Sequence, residues 1–151
     1  MIERGGQIDE RLYLYDLVID DWDKYDESSE HIINFKKSDL PNMEGMIERH
    51  KARYLLPAFF CRPGMKVLDF PCGSGYGSEI IRSLGGEYYG KDIDAPTIEY
   101  CKRIYSDCPD AFEIRDLKYP DLPSDEYDII ACIEGLEHIE EKYQNNLIKS
   151  F

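Results

Sequence analysis

Val67-Leu68-Asp69-Phe70-Pro71-Cys72-Gly73-Ser74-Gly75-Tyr76-Gly77-Ser78 decides the fold: an apolar run passes through a glycine-rich turn into a segment that reads as a helix start. Gly73 and Gly75 let a ligand approach the backbone closely, and the start of the following helix offers free N–H groups. A small-molecule site is implied. Strand, glycine turn and helix also open dinucleotide-binding folds, whose fingerprint is G-x-G-x-x-G. Here the third glycine falls one position early, at Gly77, and Ser78 stands where the fingerprint wants glycine. Asp69 argues further against a dinucleotide, because a carboxylate at the end of the strand would repel a pyrophosphate lying beside it. A ligand with an ammonium group suits that position.

Around this stretch short apolar runs alternate with helical segments, the grammar of β-α-β units. Lys66–Phe70, Glu87–Ile93, a weaker Phe112–Arg115, and Tyr127–Ile133 read as four strands. The first intervening helix closes at Gly85-Gly86, where glycine takes the left-handed conformation easily. The second starts with Asp94 as N-cap and Pro96 in its first turn, and carries Ile98, Cys101 and Tyr105 on one face. Tyr143, Leu147 and Phe151 mark a last helix. Upstream, Met43, Met46, Ile47 and Tyr54 form a helical stripe that runs to Leu55 and Leu56 and pauses at Pro57. Residues 41–151 are therefore one α/β domain, and residues 1–40 an acidic N-terminal appendage, read as helical, with apolar anchors such as Leu12, Leu14 and Trp22. The Asp20-Asp21-Trp22-Asp23 cluster is read as a solvated acidic face and given no chemistry.

A chain of 151 residues with 42% hydrophobic and 32% charged residues is of a size and composition to fold as one soluble globular domain. The net charge of −13 repels a nucleic-acid backbone or an anionic membrane surface, so neither is an expected partner. No run of about 18 apolar residues and no basic-then-apolar leader occurs, which makes a cytoplasmic location the expectation. Five cysteines, an odd number without C-x-x-C spacing, read as reduced core thiols.

A second acid, Asp92, ends the second strand about 20 residues beyond the glycine turn, the spacing that meets a ribose diol. A carboxylate accepts from two hydroxyls at once. Ile93 then offers an apolar wall for a base, and Asp116, ending the third strand, accepts from an exocyclic amine such as that of adenine. The three acids match amino acid, ribose and adenine in chain order, with no group placed for a phosphate.

These residues resemble the class I S-adenosylmethionine-dependent methyltransferases, which have a Rossmann-like fold. The likeness covers about residues 46 to 141 and four segments in order: Glu48-Arg49-His50-Lys51-Ala52-Arg53-Tyr54, Val67 to Gly75, Tyr89-Gly90-Lys91-Asp92-Ile93-Asp94, and Tyr127-Asp128-Ile129-Ile130 leading into Glu134-Gly135-Leu136-Glu137-His138-Ile139. The resemblance implies S-adenosyl-L-methionine as cofactor. Asp69 with Gly73, Ser74 and Gly75 would hold the methionine part and Asp92 the ribose; Ile93, Asp116 and Leu117 would frame the adenine, and Cys132, Ile133 and Glu134 would border the methionine end. Pro71, standing where the family more often has a small residue, would shape the loop. Tyr76, next to the methyl donor, is the tyrosine expected to stack on a bound molecule.

The chain ends about where this family begins its fourth crossover helix, so the sheet is expected to be incomplete: the first four strands of a mostly parallel, Rossmann-like sheet. Tyr127–Ile133, a run that reads as buried on both faces, then becomes an edge: either the chain is a truncated piece of a longer protein, or a second copy covers that edge as a homodimer. Glu134, Glu137 and His138, at i, i+3 and i+4, are a weaker metal alternative. The favoured reading places the two acids near the methionine pocket, with His138 as a support or a general base. His31 and His50 are expected at the surface or packed between helices. The function expected is transfer of a methyl group to a small-molecule substrate, and the alternative is a non-catalytic or truncated module that binds the cofactor and pairs through its fourth strand.

Overall fold

The computed structural model describes residues 9–13, 32–36, 44–123 and 125–151. Two short strands come first, β1 (Asp9–Tyr13) and β2 (Ile32–Lys36), paired in parallel with Asp9 opposite Ile32. The described parts of the acidic appendage are therefore strand, where a helix was expected; Ile32-Ile33-Asn34-Phe35 has the β-branched and aromatic content that favours strand. The Asp20–Asp23 cluster, His31 and Met43 lie outside the described residues.

Two helices follow, α1 (Glu44–Ala52) and α2 (Leu55–Phe60). The helical stripe breaks at Arg53 and Tyr54, earlier than Pro57 suggested. Pro57 stands in the first turn of α2, where its missing N–H costs nothing. The break matters because it brings the Tyr54 hydroxyl to Asp69 at the end of β3, with Arg53 beside it.

That sheet has four parallel strands, β3 (Lys66–Asp69), β4 (Glu87–Asp92), β5 (Phe112–Ile114) and β6 (Ile129–Ala131), in the order β5-β4-β3-β6. Val67 lies opposite Tyr88 on one side and Ile129 on the other. Crossover helix α3 (Gly77–Ser83) joins β3 to β4 and closes at Gly85, whose φ is +81°. Helix α4 (Ala95–Ile104) joins β4 to β5 and starts as expected: Asp94 accepts from the Thr97 N–H at 3.1 Å, with Pro96 in the first turn. After β6 comes α5 (Glu141–Ser150), anchored by the fully buried Leu147.

β6 is shorter than the apolar run from Tyr127 to Ile133, and Ile129 and Ile130 are only half-buried. Among the described residues it pairs with β3 alone, so it is the edge the sequence predicts. Beside it lies α2, whose Leu55, Leu56, Phe59 and Phe60 are all more than half exposed. All five cysteines are free. Among the described residues no helix is long and apolar enough to cross a membrane.

The core fills the space between the sheet and α3 and α4 with Val67, Ile81, Tyr88, Ile98, Tyr100, Cys101, Tyr105 and Phe112. Phe112 is its keystone. Its ring stacks on Tyr105 at 5.5 Å, tilts against Tyr88 at 5.8 Å, and would meet a Cβ at either Gly75 or Gly90 at 3.0 Å or less. Replacing it with alanine (Phe112→Ala) should cost about 3–5 kcal/mol of stability, read from the midpoint of chemical denaturation, and should loosen the glycine turn with it.

Candidate active site

The order β5-β4-β3-β6 reverses at β3, and in open α/β sheets ligands bind beyond the carboxyl ends of the strands at such a switch point. The glycine turn leaves β3 there. Gly73 and Gly75 have φ of +52° and +78°, which L side chains rarely adopt. A Cβ at Gly75 would press on the Phe112 ring at 2.8 Å and the Cys101 sulfur at 2.9 Å, so this glycine serves packing. At Gly73 a Cβ would meet nothing within 4 Å, so the turn presents open backbone on that side. Pro71, preceded by a cis peptide bond, sets its ring against Gly135, where a Cβ would lie 2.4 Å from Cδ. Ser74 is buried in the turn.

Asp92, at the end of β4, braces this turn. Its Oδ2 accepts from the Gly73 N–H at 2.9 Å and its Oδ1 from the Asp94 N–H at 3.0 Å. The Cys72 N–H, donating to the Lys91 carbonyl at 2.8 Å, completes the seam. Ile93 follows with 62% of its surface exposed at the strand tip. Asp116, two residues beyond β5, accepts from the Lys118 N–H at 2.8 Å, with Leu117 half-buried beside it.

Asp69 is wholly buried. Its Oδ2 accepts from the Tyr54 hydroxyl at 2.7 Å and the Tyr88 hydroxyl at 2.6 Å, while Oδ1 has no hydrogen-bond partner among the described residues. Burial pushes its pKa up to about 7, against the pull of the two hydroxyls and with help from the nearby Asp92 charge. Gly77 makes this arrangement possible: a Cβ there would lie 2.2 Å from the Tyr54 ring and 2.8 Å from Asp69 Oδ2. The glycine that falls one position early for a dinucleotide fingerprint thus has its own steric reason.

Tyr76 is 8% exposed, its ring packs edge-on against Tyr54 at 5.3 Å, and its hydroxyl lies 3.1 Å from His50 Nδ1. Its ring is held by Tyr54 and His50 at the foot of the glycine turn, with little of it left exposed for stacking. His50 is itself buried, not at the surface but packed from α1 against Tyr76 at the start of α3, and burial together with Arg53 and Arg49 lowers its pKa to about 4. Arg53 Nη1 lies 3.3 Å from the same Nδ1, and Arg53 Nε is 3.7 Å from Glu134 Oε1.

Glu134 has a left-handed φ of +52° and only Leu136–His138 form a helical turn, so Glu134, Glu137 and His138 do not share a helix face. That removes the basis of the metal alternative; among the described residues no three His, Cys, Asp or Glu gather to hold an ion. His138 is exposed, with Nε2 4.0 Å from Glu137. Ile133 is half-buried beside Glu134. Overall, the structure brings Asp69, Gly73–Gly75, Asp92, Ile93 and Asp116 to neighbouring strand tips, with Glu134 across the switch point.

Residues 67–151 match the methyltransferase domain as a sequence family, which is more than half of the chain. The chain belongs to the methyltransferase domain family. Its fold and motifs are those of the class I, S-adenosylmethionine-dependent methyltransferases. Ubiquinone biosynthesis O-methyltransferase of Proteus mirabilis is 32% identical over 83 residues, 50% of this chain and 32% of that protein. A probable S-adenosylmethionine-dependent methyltransferase of Mycolicibacterium smegmatis is 29% identical over 98 residues, 64% of this chain and 36% of that protein. The chain thus spans about a third of the length of these curated relatives. Among solved structures, the PH0226 protein of Pyrococcus horikoshii shares the fold with a TM-score of 0.59 at 24% identity, over 72% of this chain and 52% of that one. A TehB-like SAM-dependent methyltransferase of Corynebacterium glutamicum has a TM-score of 0.54 at 20% identity, over 71% and 63%.

Two outcomes follow from the Asp69 cluster. Gly77→Ala should destabilise the domain by about 1–3 kcal/mol through the clash with Tyr54, measured by thermal unfolding. Asp69, with its folded pKa raised from the ordinary 3.8 to about 7, keeps its proton longer than the unfolded chain does. Its contribution is complete below about pH 4, is lost as pH rises to about 7, and is flat above. His50, lowered from 6.5 to about 4, acts oppositely over most of that window, stabilising as pH rises. The difference in unfolding midpoint between wild type and Asp69→Asn, followed across this window, should therefore carry the Asp69 slope alone.

Proposed function

We propose that this domain binds S-adenosylmethionine beyond β3, β4 and β5 and transfers its methyl group to a small-molecule acceptor. The observation that carries the reading is the unpartnered, buried Oδ1 of Asp69 beneath a glycine turn whose Gly73 face is open. A buried carboxylate oxygen without a partner is costly and is satisfied by a cation such as an α-ammonium group. The residues fit the rest of the molecule. Asp92 receives the ribose hydroxyls with the carboxylate that already braces Gly73, Ile93 lies along the adenine, Asp116 with Leu117 takes its exocyclic amine, and Pro71, Ser74, Ile133 and Glu134 shape the methionine end.

The carboxylate of the amino-acid part needs a cation, which the sequence reading did not supply. Arg53 fills that role: its guanidinium lies at the same end, 3.7 Å from Glu134. When bound, the cofactor supplies a methyl group on a sulfonium that departs as a neutral thioether. Orientation and proximity then provide most of the acceleration, and this chain's residues act by holding and aligning. His138 is the exposed base available where the acceptor is a hydroxyl. The curated relatives whose names specify ubiquinone biosynthesis O-methylation support a small-molecule acceptor at that level of generality.

The free edge of β6, flanked by the exposed apolar face of α2, favours one second reading: a cofactor-binding module that pairs with another copy along β6. Light scattering of the chain distinguishes monomer from dimer, and release of S-adenosylhomocysteine with candidate acceptors distinguishes enzyme from module.

Calorimetric titration with S-adenosylhomocysteine should give saturable binding, and Asp92→Ala should weaken it by about ten- to a hundredfold. A folded sample that gives no heat, or an Asp92→Ala variant with unchanged affinity, would sink the reading.

A further inference from the structure

The turn between α1 and α2 gathers a cluster that the cofactor contacts alone do not explain. Arg53 and Tyr54 lie three and four positions after His50, and all three reach the start of α3 or the end of β3: His50 and Arg53 at Tyr76, Tyr54 at Asp69. His50 is 4% exposed, and its Nδ1 faces both the Tyr76 hydroxyl at 3.1 Å and Arg53 Nη1 at 3.3 Å. A guanidinium has donors only. The Nδ1 lone pair must therefore accept, which leaves the imidazole neutral with its proton on Nε2. Burial and the flanking arginines hold the ring in that neutral form. Tyr76 is clamped in turn between this ring and Tyr54, at centroid distances of 5.9 and 5.3 Å.

We propose that His50 is a positioning residue for the amino-acid end of the cofactor: its Nδ1 lone pair fixes the Arg53 guanidinium and the Tyr76 hydroxyl where the carboxylate is received. This rests on the reading of Arg53 as the carboxylate's partner. Glu134, 3.7 Å from Arg53, holds the guanidinium from its other side, so the arginine is suspended between a neutral acceptor and an exposed acid. The acid is the weaker hold, because half of its side chain faces solvent. An entering carboxylate replaces Glu134 on Arg53 while His50 keeps its place, and the pocket gains an anion without losing the arm that presents the cation.

The test compares two ligands that differ only in the amino-acid part, S-adenosylhomocysteine and 5′-methylthioadenosine. Both are titrated calorimetrically into the full 151-residue chain and its variants, with circular dichroism confirming the fold. His50→Phe should lose about tenfold in affinity for S-adenosylhomocysteine, with methylthioadenosine unchanged. His50→Gln, whose amide oxygen accepts, should recover most of the loss, and His50→Leu, smaller and without an acceptor, carries the test should the phenylalanine variant fail to fold. Arg53→Met should show the same ligand selectivity, and adding His50→Phe to it should cost nothing more. Equal losses for both ligands, additive losses in the double variant, or no loss in whichever of His50→Phe and His50→Leu folds would overturn the proposal. Wild-type chain that binds neither ligand would overturn the cofactor reading first, and this inference with it.

Discussion

A carboxylate sealed beneath the glycine turn governs the rest of this domain. Asp69 ends β3 wholly buried, and such a group survives only with its own donors. The hydroxyls of Tyr54 and Tyr88 supply them from two directions, one from the turn between α1 and α2 and one from β4. Three separately coded elements are thereby tied at one atom. The knot also dictates a neighbour's identity, since a side chain at position 77 would occupy the space of the Tyr54 ring. Burial raises the Asp69 pKa to about 7, so near neutral pH the carboxyl is divided between its protonated and charged forms, and under the proposed function a cationic ligand competes with that proton.

Around that knot the sheet does simple work. Parallel strands bring their carboxyl ends to one side, and the reversal at β3 opens a crevice there. Asp92 stands at the lip of the crevice and serves the fold before it serves a ligand: both of its oxygens hold backbone N–H groups that would otherwise be loose. Its charge is thus pre-positioned, and ligand hydroxyls meet an acceptor that does not have to reorganise. Methyl transfer asks little more of the protein than alignment. Under the proposed function that is why candidate residues can be named for the cofactor and none for the acceptor.

Local signals carried much of this into the sequence. The strands β3 and β4 show as apolar runs between turn residues, and the start of α4 is written in Asp94 and Pro96. Contacts between distant positions were not legible. His50 meets Tyr76 across 26 residues and Tyr54 meets Asp69 across 15, and no periodicity encodes such meetings. Pro57 misdirected the placing of the helix break, because proline is a breaker in a helix interior yet harmless in a first turn. The left-handed backbone of Glu134 undid the helix-face spacing of Glu134, Glu137 and His138, since nothing in a glutamate announces a positive φ. β6 is shorter than its apolar run, and among the described residues it pairs on one side only.

The strip of Leu55, Leu56, Phe59 and Phe60 sits on a molecule whose formal charge is −13. In dilute buffer, mutual repulsion reaches far enough to keep such strips from touching. At about 0.15 M salt the screening length is only about 8 Å, shorter than the molecule itself, and the attraction between bare hydrocarbon faces is left unopposed. Added electrolyte therefore weakens the repulsion that holds such strips apart, and any association through them should strengthen with salt.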